Sequence, residues 1–170
     1  GIDLSAGSMV AFSATTCALI MVLFADSTDK RLISVSTTGI VLGILGAILS
    51  GFLVGTLHTW LITSIRLPPF VATLATLVGL RSFARAMCEF VTVTRWGDVS
   101  AQISVNTPFF LWIKRYNVWL STGTFAILAI ATWLILSRTV LGRHIYALGG
   151  NEQAARLSGI RTDNIKWFAY

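Results

Sequence analysis

The chain has 170 residues, 55% hydrophobic and 12% charged, with a formal net charge of +6; its mean hydropathy is +0.76. Soluble domains carry about a quarter charged residues, so half that share at this hydropathy excludes an ordinary soluble domain and indicates a polytopic membrane protein. The positive balance matches the Lys/Arg bias of cytoplasmic loops, and without a run of basic residues it excludes a nucleic-acid partner.

The chain opens on Gly1-Ile-Asp-Leu-Ser-Ala-Gly7, a polar segment before an apolar run. Asp3 or Ser5 is expected to cap the helix that follows. The alternative is a broken-helix segment at membrane depth, lining protein or a water cavity. No basic stretch or cleavage site marks a signal peptide. A start without Met, and an end where an apolar run begins, read as those of a fragment.

A span takes about 20 mostly apolar residues. The first is expected over 8–25, ending at the polar loop Asp26-Ser-Thr-Asp-Lys-Arg31. The second is expected over 39–65, long enough to cross with tilt. Gly39/Gly43 and Gly51/Gly55 form small-xxx-small pairs, and Gly46 and Ala47 add small surface, so another helix can approach closely. His58, at helical spacing in this span, reads as a satisfied buried histidine or a cavity-facing hydrogen bonder rather than a catalyst. Arg66-Leu-Pro-Pro-Phe70 is a boundary: an extended entry with proline in the first helical turn.

The third span, over 69–91, carries Arg81, Arg85 and Glu89 at i, i+4 and i+8, on one face. Arg81 falls about 18 Å along the helix from Pro69, past the middle of a roughly 30 Å core. Two readings stay open. The charges line a translocation path, or they form a helix-locking ion pair or snorkel near the surface. Residues 92–117 read as a polar loop edged by the interfacial aromatics Trp96, Trp112, Tyr116 and Trp119, with a short surface helix over 108–112. The fourth span is expected over 118–136, and another begins at 165–170. With loops alternating sides, Arg66, Arg138, Arg143, Arg156, Arg161 and Lys166 face one side. Lys30, Arg31, Arg95, Lys114 and Arg115 face the other. The small difference leans towards a cytoplasmic 142–160. The expected architecture is an all-α, polytopic transmembrane helix bundle in one partial domain, with a polar loop over about 137–164.

That loop is the most patterned part of the chain. Asn151 is a good N-cap, Glu152 puts negative charge in a first turn, Ala154 and Ala155 favour helix, and Gly159 supplies a stop. The pattern predicts a short helix over 152–158. Gly149-Gly150 before it is expected to turn the chain sharply. Ala154, Leu157 and Ile160 form a small apolar face beside Arg156, which is either a docking knob or an ordinary loop helix on the membrane surface.

Little here suits catalysis. There is no GxxxxGK[ST], no GxSxG and no metal-ligand cluster; His58 and His144 are the two histidines,. Cys17 and Cys88 sit in apolar surroundings without a CxxC and read as packing residues. A membrane-embedded enzyme built on Arg81, Arg85, Glu89 and His58, or a passive channel, are the rival readings. No cofactor is expected.

GIDLSAGSM, RLPPFVATLAT and GRHIYALGGNEQAARLSGI, in that order, resemble the inner-membrane permease of bacterial sugar ABC importers. The nearest group is the ribose/xylose/galactose type, related more distantly to branched-chain amino-acid permeases. The resemblance covers nearly the whole chain, about half of a family permease. It implies a multi-pass inner-membrane subunit that pairs with a second permease copy or homologue around a central path. It further implies cytoplasmic ABC ATPase subunits below, where ATP is hydrolysed, and a periplasmic solute-binding protein above. The stretch Gly149, Gly150, Asn151, Glu152, Ala154, Ala155, Arg156, Leu157 and Gly159 corresponds to the ATPase-coupling element. Asp3, Ser5, His58, Arg81 and Arg85 are candidates for the path. The chain departs from the family at His58-Thr59, where Asn-Gly is common, at Ala75, where Gly is found, and at Ser82, often Gly. The coupling stretch is therefore the firmer assignment and the solute the looser one.

Overall fold

The computed structural model describes residues 3–25, 35–100, 103–105 and 107–169. The polar loop of Asp26–Arg31, with Lys30 and Arg31, lies outside them, as does Tyr170. Every named element among the described residues is an α-helix. Four are long and apolar enough to cross a membrane: Ala6–Leu23, Thr37–Thr63, Pro69–Trp96 and Asn117–Arg138. The chain forms two compact units, 2–111 and 112–170.

The first unit is built from α1 (Ala6–Leu23), α2 (Thr37–Thr63) and α3 (Pro69–Trp96). Helix α1 begins two residues before position 8 because the preceding turn is set by Asp3. The Asp3 carboxylate accepts from the Ser5 amide at 2.8 Å and from the Ser5 hydroxyl at 2.7 Å, an Asx turn. Ser5 stands at the N-cap, yet its side chain caps nothing. Ser36 caps α2, its hydroxyl accepting from the Gly39 amide at 3.3 Å. Pro69 opens α3 at the first helical turn, and Gly97, at φ +70°, ends it. The helix runs past 91 because helix and apolar run are different things: Thr92 folds the exit back, its hydroxyl bonding the Ser100 carbonyl at 3.0 Å and amide at 3.1 Å.

Helix α1 packs along both α2 and α3. The small residues of α2 permit the approach. A Cβ on Gly43 would stand 2.9 Å from Met21 Cε and 3.0 Å from the Cys17 carbonyl oxygen, and one on Gly46 would overlap Ile20 Cδ1. Gly51 is looser, with Ser13 Oγ at 3.6 Å from such an atom. Gly43→Leu is expected to cost about 1–3 kcal/mol by overpacking, read as earlier thermal unfolding of the detergent-solubilised protein, whereas Gly79→Leu, facing open space, is expected to leave it unchanged.

The inside of the unit mixes apolar residues, Leu19, Met21, Val22, Val54 and Ile62 among them, with polar ones, and much of its outside is apolar. Ser5, Ser8, Ser50, His58, Thr59, Thr73 and Thr92 are buried, while Val41, Leu45, Ile48, Leu49, Phe52 and Leu53 of α2 are exposed. Contiguous apolar surface on this scale suits hydrocarbon rather than water. Within hydrocarbon, small residues and hydroxyl bonds hold helices together better than more apolar side chains do. Cys17 is partly exposed and Cys88 buried; both are free thiols.

Helix α4 (Pro108–Arg115) takes in the surface helix expected at 108–112 and ends with Trp112 and Tyr116 at 5.6 Å. The second unit continues with α5 (Asn117–Arg138), α6 (Val140–Gly150), α7 (Glu152–Leu157) and α8 (Thr162–Ala169). Helix α5 buries none of its residues. The stretch 137–164 holds α6, α7 and the first turn of α8. Thr139, extended at φ −108° and ψ 161°, caps α6 by accepting from the Gly142 amide at 3.1 Å. Gly142 lets α6 fold back closely on the end of α5.

Candidate functional site

Helix α7 has six residues, too few to persist by themselves. Its ends are fixed locally. The Asn151 side chain accepts from the Ala154 amide at 3.0 Å. At the other end Gly159, at φ +82°, turns the chain so that the Ile160 amide reaches the Ala155 carbonyl at 3.1 Å. The turn before α7 is not where Gly149-Gly150 suggested. Both glycines are helical within α6, and the chain bends at Asn151, φ −155° and ψ 105°. Glycine is conformationally permissive but does not force a turn; an asparagine that satisfies the next helix's free amides does. Asn151→Ala is expected to cost about 1 kcal/mol of local stability, seen as faster amide hydrogen exchange at Ala154.

Helix α8 braces α7 at both ends. Lys166 Nζ donates to Glu152 Oε1 at 2.5 Å. Arg156 Nη2 donates to the Thr162 hydroxyl at 3.1 Å and lies 3.6 Å from Asp163 Oδ1 and 3.8 Å from Glu152 Oε1. The first residue of α7 is thus tied far along α8, and its last turn to the start of α8, an antiparallel hairpin. Ala155, Thr162 and Ile165 are buried in it. The charges of Glu152 and Arg156, read from sequence as flanking a knob, are engaged with α8. The apolar side chain that α7 presents outward is Leu157, 90% exposed; Gln153, Ala154 and Arg156 are exposed beside it. An open cleft lies between Arg156, Gly159, Ile160, Arg161 and Asp163.

The candidate path residues fall into two groups, both in the first unit. The Asp3–Ser5 turn meets α3, where the Leu4 amide donates to the Thr73 hydroxyl at 3.3 Å. One helical turn on, Thr76 Oγ1 and His58 Nε2 are hydrogen-bonded at 2.6 Å. His58 is 1% exposed, so it is buried and satisfied. Asp3, Ser5 and His58 therefore border one polar seam through Thr73 and Thr76, two partners that sequence reasoning missed. Threonine is ordinary inside a membrane helix, and its bond to the carbonyl four residues back hides its second role,. Arg81 and Arg85 stand apart, exposed on α3. Arg85 pairs with Glu89 of the same helix at 2.8 Å, so the pair locks no two helices together. Arg81 has no ion pair among the described residues.

No group of three or more His, Cys, Asp or Glu among the described residues could hold a metal ion. The whole chain, residues 1–170, matches the family described as "Branched-chain amino acid transport system / permease component". It is 32% identical over 172 residues to the ribose import permease protein of Haemophilus influenzae, covering 100% of this chain and 48% of that one. It is 29% identical over 162 residues to the galactose/methyl galactoside import permease protein of Escherichia coli, covering 94% and 47%. It is 40% identical over 134 residues to an autoinducer 2 import system permease protein of Yersinia pseudotuberculosis, covering 78% and 36%. The chain spans about half the length of the ribose and galactose permeases it matches. No solved structure matches it.

Proposed function

The chain belongs to the family of branched-chain amino acid transport system permease components, and on that premise we propose that it serves in the membrane-spanning subunit of an ABC importer. The subunit carries a monosaccharide across the bacterial inner membrane, and ATP hydrolysis takes place on a separate cytoplasmic subunit. The observation that carries this reading is the α7–α8 hairpin. It is a braced polar element that follows a spanning-length helix and holds an apolar side chain, Leu157, out to a partner. The chain has no nucleotide-binding loop, so its energy comes from elsewhere.

The surface of Gly149, Gly150, Asn151, Ala154 and Leu157 meets the ATPase, while Glu152, Ala155, Arg156 and Gly159 hold that surface in shape. A periplasmic binding protein delivers the solute, and a second permease copy or homologue completes the path. The seam of Asp3, Ser5 and His58 and the α3 face of Arg81 and Arg85 border that path, because polar groups at membrane depth face protein or water rather than lipid. The ribose and galactose names of the relatives favour a sugar; the family description favours a branched-chain amino acid as the second reading.

Copurification tests the coupling assignment. The full-length permease, expressed with its genome-neighbouring ATPase, is expected to retain that ATPase through detergent extraction and affinity purification. A permease that comes through alone, correctly inserted, sinks the assignment.

A further inference from the structure

The cross-bracing between α7 and α8 does more than shape a docking surface. A single tether would let α7 pivot about one point. Two tethers at opposite ends make the pair move as one piece. The Glu152–Lys166 link holds the start of α7, with the Lys166 side chain 20% exposed, and the Arg156–Thr162 and Arg156–Asp163 links hold its end. Ala155 and Ile165 fill the space between, 4% and 7% exposed. Helix α8 carries on from that brace into the apolar Trp167-Phe168-Ala169, whose two aromatic side chains are exposed. Displacement of α7 by a partner therefore displaces α8.

We propose that Lys166 and Glu152 are positioning residues of the transport cycle: their ion pair is the strut through which movement imposed on Leu157 and its neighbours passes to α8. Arg156, on Thr162 and Asp163, stops the hairpin from hinging at Gly159. The two charges of the strut are paired with each other, the Lys166 side chain 20% and the Glu152 side chain 43% exposed. This rests on the coupling reading above, and its failure is distinguishable from that reading's failure because binding and coupling are read separately.

The test uses the full-length permease reconstituted in vesicles with its ATPase and binding protein. Lys166→Met and Glu152→Gln each break the strut, and the conservative Lys166→Arg keeps it. In each of the two breaking variants the solute moved per ATP hydrolysed is expected to fall about fivefold or more, the scale of a typical coupling free energy. The amount of ATPase retained on the permease is expected to stay at the wild-type level. Lys166→Arg is expected to keep most of the ratio. A wild-type ratio in Lys166→Met overturns the strut. So does a Lys166→Arg permease that binds ATPase normally but is uncoupled. Loss of ATPase binding in Lys166→Met overturns it as well, since the pair then serves the docking surface and not the transmission. Leu157→Asp, by contrast, removes binding if the coupling reading is right, whatever the strut does.

Discussion

Leu157→Asp is expected to abolish capture of the ATPase by the full-length permease while leaving membrane insertion intact. Leu157 is 90% exposed on a helix whose charged side chains pair with α8 while staying partly exposed themselves. An apolar side chain held out by a braced scaffold costs little entropy to bury and fills a pocket as an anchor does. Anchors of this kind contribute about 2–4 kcal/mol, so a carboxylate in that pocket weakens binding by roughly 30-fold or more. Because Leu157 touches little of its own chain, the substitution leaves the hairpin intact; Leu157→Met separates size and polarity and is expected to bind as the parent does. Quantitative pull-down in detergent reads both. Undiminished capture by Leu157→Asp removes the side chain from the interface.

Gly142→Ala is expected to be the most disruptive one-methyl change in the second unit. A Cβ there would overlap the Leu136 carbonyl oxygen and stand 2.6 Å from that of Ile135. Those are backbone atoms of α5 and cannot swing aside as the end of a flexible side chain does. The expected cost is about 3 kcal/mol, the upper part of the overpacking range, against a total stability of roughly 5–15 kcal/mol. Gly149→Ala and Gly150→Ala are the informative contrasts. Both lie in open space within α6, and each is expected to stabilise the helix by up to about 1 kcal/mol. Thermal unfolding of the three purified variants orders them. A Gly142→Ala protein as stable as the parent shows that α6 does not fold back on α5 as described.

The two outcomes for the glycines show what was legible in the sequence. The all-α membrane character was written in hydropathy, because a spanning helix needs only length and apolar composition. The start and stop of α7 were legible because a cap and a left-handed turn are local: Asn151 and Gly159 act within three residues of themselves. Helix α6 was hidden by three glycines, which lower helix propensity and which tertiary contact overrides at Gly142. Lys166 and Thr162 were unreadable as partners of Glu152 and Arg156, since their pairing needs α8 to lie antiparallel to α7. The polar seam was half legible. His58 stood out in an apolar span, but Thr76 and Thr73 did not, because neither type is unusual there. Arg81 and Arg85 were visible as charges on one face, and the i,i+4 spacing of Arg85 and Glu89 already offered the pair that forms at 2.8 Å.

ATP-driven passage of a sugar through the membrane is the activity proposed for the full-length permease. It is tested most directly by uptake into proteoliposomes holding the full-length permease, its ATPase and its binding protein. Radiolabelled monosaccharides are supplied on the binding-protein side and a branched-chain amino acid is tested in parallel. Accumulation of one monosaccharide above its outside concentration is expected, dependent on ATP and lost with Leu157→Asp. Passive equilibration without ATP, or accumulation of the amino acid alone, would contradict it.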